Sequence, residues 1–94
     1  MNKRYPKIDI VNLTNADEEY SYTFLAHIKG FLLQTRSGES FKYAYKHNDI
    51  SLNNYITAHQ GIAKIEDFTG AETSITIYFS CSTAGEVMEV EFWL

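Results

Sequence analysis

Residues 75–94 read ITIYFSCSTAGEVMEVEFWL. Apolar Ile75, Ile77, Phe79 and Cys81 alternate with Ser74, Thr76, Tyr78 and Ser80. Met88, Val90, Phe92 and Leu94 then alternate with Val87, Glu89, Glu91 and Trp93. A period of two over two such runs, with Ser82-Thr83-Ala84-Gly85 as turn material between them, predicts paired antiparallel strands with one apolar and one wet face.

Working back from this ribbon, residues 20–28 alternate in the same way, and residues 7–13 do so loosely through Ile8, Ile10 and Val11. Residues 14–19 are polar and acidic and read as a loop. Lys29-Gly30 fits either a tight turn or a bulge in one long bent strand. Residues 31–36 and 40–46 are strand-like around Ser37-Gly38-Glu39, which predicts a hairpin turn with glycine in the left-handed position. The period changes between Ser51 and Gly61. Leu52, Tyr55, Ile56 and His59 fall at helical spacing, with Asp49 or Ser51 as a cap and Gly61 as a C-terminal stop. Residues 62–68 fit strand or helix. The expected fold is α+β: a mainly antiparallel sheet of five to seven strands with one short helix at about 51–60. A small β-sandwich or half-open barrel is the alternative.

With 94 residues there is room for one domain, 1–94, and one modest core. Seven Tyr, six Phe and one Trp let that core bury much area per residue. The lone Cys81 can form no intramolecular disulfide, which fits a reducing compartment. No signal peptide and no stretch long enough to span a membrane is legible, so a cytoplasmic location is expected.

Charge is unevenly spread. Residues 1–47 carry seven bases and five acids, a net of +2, whereas residues 48–94 carry one base and seven acids, a net of −6. No Lys, Arg or His follows Lys64. An imbalance of this kind speaks to partners more than to fold.

Catalytic and ligand motifs are missing. Cys81 lies on the apolar face of its strand with no nucleophile signature around it. His27, His47 and His59 are spread over three elements without metal-ligand spacing. Asp17-Glu18-Glu19, Glu66-Asp67 and Glu89/Glu91 read as solubilising surface, because acid–base work needs a cleft that shifts a pKa. The five glycines form no phosphate cradle. Arg36, Lys42 and Lys46 fall opposite Phe41, Tyr43 and Tyr45, and the net charge is −4, which argues against direct nucleic-acid binding. The reading is therefore of a non-enzyme that needs no cofactor and no metal. Five tyrosines (Tyr20, Tyr22, Tyr43, Tyr45 and Tyr78) leave a small ligand-binding domain as one alternative.

The binding case rests on the acidic C-terminal part. Glu66, Asp67, Glu72, Glu86, Glu89, Glu91 and Trp93 are the candidate partner-binding residues. Glu89, Glu91 and Trp93 share one strand face at a spacing of about 7 Å, and Trp is enriched at interface hot spots. In size, in its single Cys81 and in its run from Glu66 to Glu91 without a base, the chain resembles the small acidic immunity proteins of bacterial toxin systems such as contact-dependent growth inhibition. That resemblance implies an inhibitor that occludes the active site of a basic toxin, of nuclease or RNase type, with no membrane or direct nucleic-acid partner. A phage-encoded antagonist that mimics nucleic acid is a further alternative, and a basic hairpin facing an acidic one also allows self-association.

Overall fold

The computed structural model describes residues 6–25, 28–66 and 74–93. Eight strands run through them: β1 (Lys7–Leu13), β2 (Tyr20–Phe24), β3 (Gly30–Thr35), β4 (Phe41–Ala44), β5 (Ile56–Ala58), β6 (Ile62–Ile65), β7 (Ile75–Ser80) and β8 (Glu86–Trp93). A single 3₁₀ turn, His59–Gly61, sits between β5 and β6.

The strands form two four-stranded antiparallel sheets. One has the order β1, β8, β3, β6 and the other β2, β7, β4, β5. The pairing is nested: β1 lies on β8, β2 on β7, β3 on β6 and β4 on β5. The path is thus one long hairpin with its tip at residues 45–55. It is rolled so that β3 also meets β8 and β4 also meets β7. This order defines a jelly roll, with two stacked sheets and no closed barrel.

Alternation decides what each strand buries. Met88, Val90 and Phe92 of β8 point inward with Phe31 and Leu33 of β3 and Leu13 of β1. They meet Phe24, Ile77, Phe79, Phe41 and Tyr43 from the other sheet in one core. Phe24 stacks on Phe31 at 4.9 Å between ring centroids and meets Phe92 edge-on at 5.5 Å. Each fully buried ring contributes about 1.5–3 kcal/mol from burial alone, which is how so short a chain sustains two sheets.

The described residues hold eight strands in two sheets, not the expected five to seven strands with a helix, so the β-sandwich alternative replaces α+β; three further expectations need correction. First, Ser37-Gly38-Glu39 and Ser82–Gly85 do not close hairpins. Each carries the chain from one sheet to the other, so β3 does not pair with β4, nor β7 with β8. Alternation tells which side of a strand is apolar but not which strand lies beside it. The arches are tied instead to their own sheet neighbours, by Arg36 N–H to Val87 O (2.9 Å) and Gly85 N–H to Leu13 O (2.9 Å).

Second, the helix expected at about 51–60 is absent, and no α-helix occurs among the described residues. Residues 47–53 form successive turns, Asn48 and Asn53 have positive φ (70° and 63°), and Ile56–Ala58 pairs with β4. Leu52 and Ile56, half of the expected apolar stripe, are 72% and 55% exposed. A stripe with nothing to pack against cannot stabilise so short a helix, whereas β4 offers a free edge to Tyr43's neighbour Ile56. Gly61 is left-handed as expected (φ +73°), but it closes the 3₁₀ turn.

Third, β2 ends at Phe24 and the chain has entered the other sheet by Gly30, so residues 20–36 are not one bent strand. Residues 62–65, which fit either strand or helix, form β6.

Candidate functional site

The outer face of the first sheet gathers most of the described candidates. Glu89 of β8 lies between Ile10 of β1 and Gln34 of β3, and Glu91 lies between Ile8 and Leu32. Together with Arg36 these residues line a shallow groove of about 260 Å³. Ile8 and Ile10 are 75% and 52% exposed, although Val11 and Leu13 of the same strand turn inward. β1 therefore adds an apolar wall to the outside of the molecule.

The acids of this region behave very differently from one another. Glu86 is only 6% exposed. It accepts hydrogen bonds from Ser37 N–H (3.2 Å), from the Ser37 hydroxyl and from Val87 N–H (3.1 Å). Burial works to raise its pKa, but the bonds from the Ser37 hydroxyl, Val87 N–H and Ser37 N–H outweigh it and leave the carboxyl below its ordinary value. As a partner-binding candidate Glu86 is corrected: it is an internal fastener between the two arches.

Glu89 is held on the surface by Arg36 Nε at 2.9 Å and Gln34 Nε2 at 3.1 Å. Glu66 is exposed and pairs with Lys64 at 3.2 Å. Glu91 has no hydrogen bond or ion pair among the described residues, and its cross-strand neighbours are both apolar. Asp67 and Glu72 lie outside the described residues. Trp93 caps the end of this face. Its indole lies over Gly30, where an added Cβ would overlap the ring and come 2.7 Å from Ile65 O. The side chain is half-buried.

So three candidates, Glu89, Glu91 and Trp93, do share one face. The sequence also missed residues there: Ile8, Ile10, Leu32, Gln34 and Arg36. The parity of Ile8 and Ile10 against Val11 and Leu13 is a signal that β1 is apolar on both sides. That β1 and β3 flank β8 has no local signature.

Elsewhere, Glu19 ties the 14–19 loop to the 45–55 connection through His47 Nδ1 (2.6 Å) and Asn48 N–H (3.0 Å). Asp9 accepts the Tyr22 hydroxyl at 3.1 Å. Burial first, and then this bond and the nearby carboxylate charge, hold the Tyr22 phenol above its ordinary pKa. Cys81 is buried, with its Sγ 3.6 Å from Ser40 O. Among the described residues no three His, Cys, Asp or Glu side chains are grouped to hold a metal, and no helix is long and apolar enough to cross a membrane.

The chain matches no protein-family model, no curated protein and no solved structure at a significant level.

Proposed function

We propose that this domain is a protein-binding inhibitor that receives a cationic side chain of its partner in the groove on the outer face of the β1–β8–β3–β6 sheet. The observation that carries this reading is Glu91, a carboxylate set between Ile8 and Leu32 that makes no hydrogen bond or ion pair among the described residues. A charge flanked by apolar side chains is costly to cover unless the covering group neutralises it. A lysine or arginine whose methylene stem lies along Ile8 and Ile10 meets both demands at once. Trp93, on the same face, supplies the broad apolar contact typical of interface anchors.

The particular form proposed is an immunity-type inhibitor that acts in the cytoplasm on a basic toxin domain, because a site that handles RNA or DNA phosphates must itself be cationic. The local pairing of Glu89 with Arg36 and of Glu66 with Lys64 disfavours the nucleic-acid mimic, which needs an unneutralised run of acid.

The test is direct titration of the protein encoded next to this chain's gene, by calorimetry, against wild type, Glu91→Lys and Ile10→Asp. Loss of the central charge pair weakens binding by about 2 kcal/mol or more, at least about 30-fold. Binding that is absent, or that both variants leave intact, removes this face from the account.

A further inference from the structure

We infer that the pocket beside the 45–55 connection is a binding site for a single sugar ring. This is separate from the groove just described and does not depend on it. The pocket measures about 240 Å³ and is lined chiefly by Tyr43, Tyr45, Tyr55, Asp49 and Asn54. Its aromatic walls are steep: the rings of Tyr43 and Tyr45 stand 82° apart with centroids 6.2 Å from each other.

Tyr43 is 7% exposed, yet its hydroxyl has no hydrogen-bond partner among the described residues. A buried phenol ordinarily finds one. No side-chain oxygen or nitrogen among the described residues is both enclosed and unpaired, so the Tyr43 hydroxyl keeps an opening to solvent, and Tyr43 lines this pocket. The Tyr45 and Tyr55 hydroxyls are likewise without partners among the described residues.

At the rim, Asn54 donates from Nδ2 to Asp49 Oδ2 (3.2 Å) and from its backbone N–H to Asp49 O (2.9 Å). This fixes the two side chains side by side and leaves Asp49 Oδ1 and Asn54 Oδ1 as acceptors. The clip from Glu19 to His47 and Asn48 holds the start of the same connection.

The ligand class follows from this set. A sugar ring has apolar C–H faces for aromatic walls and hydroxyls around its edge for a carboxylate, an amide and phenols. A purely apolar ligand would cover those polar groups and leave them unpaired, at about 1–3 kcal/mol each. A quaternary ammonium would suit the rings, but Lys46 lines the pocket and repels a cation. The volume is below the roughly 300–1,000 Å³ of sites for drug-sized molecules, which suits one ring with the rest of a longer glycan outside.

The test is amide NMR on the full chain, titrated with the methyl glycosides of glucose, galactose, mannose and N-acetylglucosamine to about 50 mM, far above a millimolar dissociation constant. At least one glycoside is expected to give saturable shifts confined to residues 43–56 and the strands beside them. Tyr45→Ala, at a half-exposed position that makes no hydrogen bond, should weaken it about tenfold or more while the rest of the spectrum stays as in wild type. Tyr45→Phe should fall between the two. No saturable shift from any glycoside overturns the assignment. So does binding of choline chloride in place of the glycosides, or a glycoside response that Tyr45→Ala leaves unchanged.

Discussion

Replacing Glu86 tests the central correction to the acidic ribbon. The carboxylate accepts from Ser37 N–H, the Ser37 hydroxyl and Val87 N–H, and is almost wholly covered. Hydrogen bonds to a charged acceptor contribute about 1.5–3 kcal/mol each. Ser37 is exposed and recovers water once the acid is gone, so the three losses do not add in full. Glu86→Ala should therefore cost about 2–4 kcal/mol, and Glu86→Gln, which keeps the volume and part of the bonding, about 1–2 kcal/mol. At about 4–8 °C per kcal/mol for a domain of this size, the alanine variant should melt at least about 8 °C below wild type.

The pH dependence sharpens the test. The folded pKa lies below the ordinary 4.5, so the contribution is fully present above about pH 4.5 and is lost as pH falls through the folded value. Urea unfolding followed by circular dichroism should show wild type and Glu86→Gln converging below that pH. A cost under about 0.5 kcal/mol for Glu86→Ala, typical of a surface position, would refute the internal role. A gap that widens on acidification would show that burial, not hydrogen bonding, sets the pKa.

Further outcomes are expected elsewhere. Gly61→Ala should cost about 2–4 kcal/mol in chemical denaturation, because the new Cβ would overlap Thr35 Oγ1 and lie 2.7 Å from Glu39 O at φ +73°. Gly85→Ala, at φ +77° with open space around it, should cost only about 1–2 kcal/mol. Phe79→Ala removes a fully buried ring and should cost about 3–5 kcal/mol, enough to leave little folded protein by circular dichroism. Arg36→Ala should change stability by less than about 1 kcal/mol, since its pair with Glu89 is largely exposed. It should strengthen salt-dependent capture of a cationic partner, read as a faster association rate at low ionic strength.

The sequence carried the strands better than their arrangement. In β8 the period of two located the inward row through Met88, Val90 and Phe92, and the same period extended back to Glu86. By parity alone Glu86 belongs to that inward row, where it is in fact buried. Weighing it by charge, as one more surface acid, hid that. Ile8 and Ile10 suggested a strand but not an outward face, because one alternation cannot say which side meets the core when both sides are apolar.

The 51–60 segment departs from its helical pattern for a physical reason. Leu52, Tyr55 and Ile56 have helical spacing, but Asn48, Asn53 and Gln60 take left-handed φ, and hydrogen bonding to the β4 edge satisfies Ile56–Ala58. Strand partners lie far along the chain, so the groove, which needs β1, β8 and β3 side by side, had no local signature. The tyrosine pocket has no local signature either, since the helical spacing places Asp49 at a cap and Asn54 and Tyr55 within a helix.

The nested pairing has a consequence for how the molecule comes into being. β1 completes its place only against β8, so the first sheet cannot assemble during synthesis until residues 86–93 have left the ribosome. Of the nested pairs, β4 with β5 spans the shortest length of chain and β1 with β8 the longest, so loop-closure entropy favours the first pairing over the last. Contacts this distant in sequence make folding slow, on the order of milliseconds to seconds. Pairing with β8 satisfies one side of β1 only: β1 stays an edge strand, with Ile8 and Ile10 exposed on its outer face, so the finished fold keeps a surface open to self-association.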